Sequence, residues 1–250
     1  MRLGRSRDGG YVVARSSVEE SQALISLGLS SEWSFDSEFL ATRRRIDYRA
    51  ADRSSGFLVY AFAFLRSIAT APLQPKAAGK LLVIALRFLL LVPPIQLKRR
   101  RRFFRKWVRV SVTDVKRDLT IHHMLESIGR KSGLFLKMDV EGGEYELLPA
   151  VLAIAEQEPD RFSGLCVEFH NVISREEEFH DIVRRMQQTF SIVHLHANNA
   201  VPLTNDFLDV LEISFARKLG NESEQVRRLP IQGLDFPNNP EYPDLALVFP

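Results

Sequence analysis

Short apolar runs in this chain repeatedly stop at a glycine or a carboxylate. Ala23-Leu24-Ile25-Ser26-Leu27 stops at Gly28, residues 45–51 stop at Asp52, 108–112 run on to Asp114, and Leu134-Phe135-Leu136-Lys137-Met138 stops at Asp139. Helical stretches fall between such runs, at 145–156 and 175–188, and further β-like runs follow at 165–169, 192–196 and 210–215. Seven short strands alternating with helices predict an α/β fold, a mostly parallel sheet flanked by helices. Small and acidic residues are poor strand formers. In an open parallel sheet, however, ligands bind just outside the carboxyl ends of the strands. Polar residues gathered there mark a candidate site, although each taken alone would also serve as a helix N-cap or a turn residue.

Charge is unevenly spread along the 250 residues, with 34 Lys and Arg against 31 Asp and Glu, net +3. Residues 53–113 hold 13 of the basic residues and none of the acidic ones, so the remainder carries a net charge of −10. The single cysteine, Cys166, excludes an intramolecular disulfide and a four-thiolate zinc site, and suits a reducing compartment. The N-terminal residues lack the apolar core of a signal peptide, and the apolar runs 57–65 and 88–95 are far shorter than the ~20 residues that span a bilayer. These features predict a cytoplasmic protein, with the option of a peripheral membrane contact.

One segment breaks the alternation. Residues 54–106 form a hydrophobic and basic insertion within a single domain spanning 1–250, with two apolar helical stretches set off by Pro72, Pro75, Pro93 and Pro94. Its end, Lys98, Arg99, Arg100, Arg101, Arg102, Phe103, Phe104 and Trp107, pairs dense positive charge with aromatics. Such a mixture suits an anionic membrane surface, or RNA or a phosphorylated substrate; equally, the aromatics could pack on the sheet. The acidic remainder of the chain argues against nucleic acid.

The strings that could carry chemistry lie at strand ends. Asp139-Val140-Glu141-Gly142-Gly143 delivers two carboxylates just before a helix, where backbone amides are also exposed. Glu168-Phe169-His170 places an acid and an imidazole on one side of a strand, and His194-Leu195-His196 repeats the pattern on the next. If these ends meet, His170 and His196 converge with Asp139 as a general base or as a mixed nitrogen and oxygen site for a divalent cation. His122 and His123 fall in a helix and are read as structural. The turn at Ser26-Leu27-Gly28 has too few glycines to wrap a phosphate. A ligand reaching it through an amino acid moiety and a sugar fits better, with Asp52 accepting ribose hydroxyls.

Taken together the residues resemble the FkbM-type methyltransferases, a class I family that uses S-adenosyl-L-methionine. Asp8-Gly9-Gly10-Tyr11, Ser26-Leu27-Gly28 followed by Trp33-Ser34-Phe35-Asp36, Lys137-Met138-Asp139-Val140-Glu141-Gly142, Glu168-Phe169-His170 and His194-Leu195-His196-Ala197-Asn198-Asn199 carry the likeness. The closing Leu234-Asp235-Phe236-Pro237-Asn238 and Pro243-Asp244-Leu245 resemble a subgroup of the same family.

The resemblance implies a Rossmann-like seven-stranded sheet with its last strand antiparallel, and methyl transfer to a hydroxyl of a small molecule, sugar or lipid-linked glycan. It places the cofactor against Ser26, Gly28, Asp52, Asp114 and Asp139, with Asp114 near the adenine. Asp139, Glu141, His170 and His196 would face the acceptor, with His170 or Asp139 as the base. Ser30 stands where the family usually has a second glycine. The competing reading is a non-catalytic protein of the same fold that binds a membrane or a partner through residues 98–109.

Overall fold

The central strands of the main sheet form where apolar residues predominate, because a parallel strand between two helix layers is buried on both faces. In chain order they are β1 Ala23–Leu27, β2 Asp47–Ala51, β3 Arg101–Phe104, β4 Leu134–Met138, β5 Phe162–Phe169, β6 Phe190–Ala197 and β7 Leu211–Arg217. Every residue of β1, β4 and β5 is buried. The spatial order is β6-β7-β5-β4-β1-β2-β3. β7 runs antiparallel to both neighbours, and all the other pairings are parallel. The expected seven-stranded, mostly parallel sheet with an antiparallel last strand is therefore present.

These features belong to a computed structural model that describes residues 1–55, 62–63, 65–66, 79–81, 83–86, 100–129, 132–200, 208–218 and 228–248. The predicted helical stretches before residue 100 fall largely outside those residues, as do Lys98 and Arg99.

The helices that cover the sheet include α1 Arg15–Glu19, α2 Ser34–Thr42, α3 Ile121–Glu126, α4 Glu144–Gln157 and α5 Glu176–Thr189. One face of the sheet packs Met124, Leu148, Val151 and Met186 of α3, α4 and α5 against Ile25, Leu136, Val167 and Phe215. The opposite face packs Val18, Phe35 and Phe39 of α1 and α2, with Leu3 and Tyr11 from the N-terminal hairpin, against Leu24, Tyr48, Phe135 and Cys166.

The third strand differs from the sequence reading. Residues 108–112 were expected to form it, but Arg101–Phe104 does, pairing in parallel with β2 at Tyr48↔Arg101 through Ala51↔Phe104. Phe103 and Phe104 pack against opposite faces of the core, so Arg101–Phe104 is part of the sheet. Trp107–Arg109 then forms a separate two-stranded pair with Asp118–Thr120. Among the described residues no helix is long and apolar enough to cross a membrane.

Candidate active site

Register aligns the carboxyl ends of the strands. Leu27 pairs with Ala51 and Met138, and Met138 with Val167, so Gly28, Asp52, Asp139 and Glu168 come next and lie level. Glu168 pairs with Glu212, and Glu212 with His196, which carries the row across β7 and β6. The polar residues that end the strands therefore do meet along one edge of the sheet.

A cavity of about 610 Å³ opens over the β1, β2 and β4 part of that row. Its size falls in the ordinary range for a small-molecule site. Gly28, Ser30, Asp52, Asp139, Glu141 and Trp107 are among the residues that line it. Gly28 has φ +77°, and a Cβ there would stand 1.5 Å from the Asp139 carbonyl oxygen, so only glycine lets the turn after β1 pass β4 this closely. Trp107 is 49% exposed and presents a flat apolar surface in the wall.

Asp52 lines the cavity as expected, yet its carboxylate is already engaged. Oδ2 accepts from the amides of Leu29 (2.8 Å) and Ser30 (2.6 Å), and Oδ1 from the Ser54 amide and hydroxyl (both 2.6 Å) and the Ser55 amide (3.0 Å). Burial works against the charge, but these hydrogen bonds hold the carboxyl below its ordinary pKa. Asp52 thus ties together the two loops that wall the cavity. Ser30, with φ +45°, takes up the left-handed backbone that a glycine would adopt without cost.

His170 stands at the end of β5 among carboxylates. Its Nδ1 is 3.1 Å from Glu144 Oε1; its Nε2 is 3.5 Å from Glu141 Oε2, 3.7 Å from Glu168 Oε1 and 4.0 Å from Asp139 Oδ1. Burial would lower its pKa, but the Glu144 hydrogen bond and the charges of Glu144, Glu168 and Asp139 overcome that and push it up to about 9. The ring by itself is therefore protonated at neutral pH and makes a poor base. Burial, with Asp139 and Glu212 nearby, raises Glu168 well above the usual carboxylate range; the Tyr11 hydroxyl and the Asn198 amide both donate to it.

Lys137 is a buried charge beside Asp139 that the sequence reading did not single out. It is buried, donates from Nζ to the Gly28 carbonyl (3.0 Å), lies 3.6 Å from Asp139 Oδ2, and sits over the Tyr11 ring at 5.4 Å. Burial opposes its charge, but Asp139 and Asp36 outweigh that and raise its pKa. A lone lysine in the otherwise apolar run 134–138 was the available signal.

Three expected residues lie elsewhere. Ser26 is fully buried one step below Gly28, level with Lys137, and is not part of the cavity wall. Asp114 is exposed in the turn that leads to Asp118: its amide donates to Asp118 Oδ2, and it too is absent from the wall. His196 does not converge with Asp139. Its Nδ1 lies 3.2 Å from Glu212 and its Nε2 3.1 Å from Asp244, which fastens the C-terminal segment to β6 and β7.

An open sheet of this order, with its antiparallel β7 and a cavity over the ends of β1, β2 and β4, is the Rossmann-like arrangement that was expected. Residues 93–192 match the family described as "Methyltransferase FkbM domain", a stretch that includes the Lys137–Gly142 and Glu168–His170 motifs. No curated protein matches the chain in sequence. Among solved structures it is similar to the fibrillarin pre-rRNA processing protein of Methanococcus jannaschii, at 7% identity and a TM-score of 0.38, over 82% of this chain and 70% of that one. It is also similar to precorrin-6y C5,15-methyltransferase from Geobacter metallireducens GS-15, at 9% identity and a TM-score of 0.38, over 83% and 94% of the two chains.

Proposed function

We propose that this chain is an S-adenosylmethionine-dependent O-methyltransferase acting on a hydroxyl of a small molecule, sugar or lipid-linked glycan. The observation that carries this reading is the 610 Å³ cavity over β1, β2 and β4 with Asp139 and Glu141 in its wall. The residues present fit the cofactor that the family implies: the cavity has the volume for it, Gly28 lines it without a side chain to fill it, and Trp107 offers a face for a flat base. Bound there, S-adenosylmethionine supplies a methyl group activated by a positively charged sulfur.

Gly28, Ser30, Asp52 and Trp107 would hold the cofactor, with Asp52 acting chiefly through the loops that it fixes. Asp139 would take the acceptor's proton as the oxygen–carbon bond forms and the carbon–sulfur bond breaks. Lys137, anchored on the Gly28 carbonyl, holds the Asp139 carboxylate toward β1. Alignment of the acceptor oxygen with the methyl group would supply the larger share of the rate.

A second reading has one observation in its favour. Phe62, Leu65 and Leu86 are at least half exposed, in the stretch that lacks any carboxylate, which suits a segment resting on anionic lipid. Calorimetric titration with S-adenosylmethionine separates the two. The enzyme reading expects micromolar affinity, about −8 kcal/mol. No heat of binding to a folded sample overturns it and leaves membrane association through the basic segment.

A further inference from the structure

We propose that Asp139, Glu141 and His170 form a binding site for a divalent cation in the cavity wall. A ligand atom from each of the three lies within 4.8 Å of the others. Donors held at about 2.1 Å from one ion stand about 3.0 Å apart when adjacent and about 4.2 Å apart when opposite. The observed 3.5 Å from His170 Nε2 to Glu141 and 4.0 Å to Asp139 fall between these limits, so small side-chain movements bring all three donors onto a common centre.

A second observation points to the same ligand. The other nitrogen of the His170 ring, Nδ1, meets Glu144 Oε1 at 3.1 Å. Glu144 is fully buried at the first position of α4, and its Oε2 has no hydrogen-bond partner. The same Oε1 accepts from the Val140 amide at 3.0 Å, which fixes the carboxylate in place. A buried carboxylate behind a histidine, taking its Nδ1 proton and turning its Nε2 outward, is the usual support of a metal-bound imidazole. Here Nε2 faces Asp139, Glu141 and Glu168.

Asp139, Glu141 and Glu144 lie within 4.0 Å of the ring, and Lys137 pairs with Asp139, so a cation that displaces the ring proton meets a carboxylate-rich site. Two carboxylates and one imidazole suit a hard ion that tolerates a nitrogen ligand and keeps water on its remaining positions, which makes Mn²⁺ the suitable probe. Asp139 and Glu141 line the cavity, so those positions face the space where an acceptor oxygen would lie. That role rests on the methyl-transfer reading, whereas binding of the ion does not.

The test uses the full chain after chelation and dialysis, titrated with Mn²⁺ while the electron paramagnetic resonance signal of free aqueous Mn²⁺ is followed. The expected result is loss of that signal up to a single equivalent. His170→Gln and Glu141→Gln should each weaken binding by about 10- to 100-fold. The Glu141 side chain is 85% exposed, so its variant keeps the experiment decisive even if His170→Gln does not fold. An undiminished Mn²⁺ signal, or equal binding by wild type and the Glu141→Gln variant, overturns the proposal and leaves His170 paired only with a proton. A parallel S-adenosylmethionine titration of the chelated protein keeps the two readings apart. If S-adenosylmethionine binds but Mn²⁺ fails to bind in its own titration, this inference alone is defeated; if Mn²⁺ binds but S-adenosylmethionine fails to bind with or without it, the methyltransferase reading alone is defeated.

Discussion

The two halves of the carboxyl edge of the sheet treat their polar residues in opposite ways. Over β1, β2 and β4 a cavity remains, and Asp139 and Glu141 look into it. Over β6 and β7 the chain fills the equivalent space itself. His194 meets Asp235 at 2.7 Å, His196 meets Glu212 and Asp244, Asn238 donates to Glu212 at 2.6 Å, and Asn199 donates to the Asn239, Tyr242 and Pro243 carbonyls. Buried polar groups are costly unless paired. The covered half meets that requirement with its own C-terminal segment, while the open half leaves room for a ligand to do so. A dense cluster of histidines and acids is thus a poor guide to chemistry until its partners are known.

The sharpest way to break this contrast is a pair of substitutions. Asp139→Asn should lower methyl transfer, to any acceptor found by screening, by about 10²- to 10⁴-fold with cofactor affinity retained. His196→Asn should instead cost about 3 kcal/mol of stability, because it strands Glu212 and Asp244, with turnover per folded molecule nearly unchanged. A folded His196→Asn protein without turnover would return that histidine to the active site and erase the distinction.

Alkaline titration probes the covered half next. Burial would lower the pKa of His196, but Glu212 and Asp244 push it up to about 9. Its stabilisation is complete below the unfolded value near 6.5 and is lost as the pH climbs from there through about 9, because the folded state then holds a proton that the unfolded state has released. Denaturant midpoints of the metal-free protein should fall across that window. His196→Asn should flatten the decline, leaving only the part due to His170; an unchanged slope would mean that the strap does not hold a charged imidazole.

The smallest effect belongs to the open half. Ser30→Gly relieves a φ of +45° at the cavity rim and should raise the thermal midpoint by the equivalent of up to about 1 kcal/mol. A lower midpoint would show that the serine side chain contributes more than its backbone costs.

Much of the fold was legible because strands buried on both faces read as mainly apolar runs, as Ala23–Leu27 and Leu134–Met138 do with a single polar residue each. β3 escaped because Arg101-Arg102-Phe103-Phe104 has the composition of a ligand-binding patch, while the alternating residues 108–112 imitate a strand. In the site, Asp139, Glu141 and His170 were legible as polar residues at strand ends. The position of Asp52 was legible too, but not its saturation by loop amides, since hydrogen bonds from Ser54 and Ser55 depend on how the chain turns after β2. His196 was misplaced for a related reason: Asp244 lies 48 residues away, and nothing local announces that it folds back.

The arginine-bearing strand has one more consequence. Among the described residues no strand lies beyond β3, so it ends the sheet. A terminal strand displays unpaired amides and carbonyls that can recruit a strand from another molecule, and charged side chains along it are a common deterrent to aggregation. Arg102, exposed on that rim, adds such a charge. Positive charge at this position is the kind that discourages a second molecule from adding a strand to the sheet.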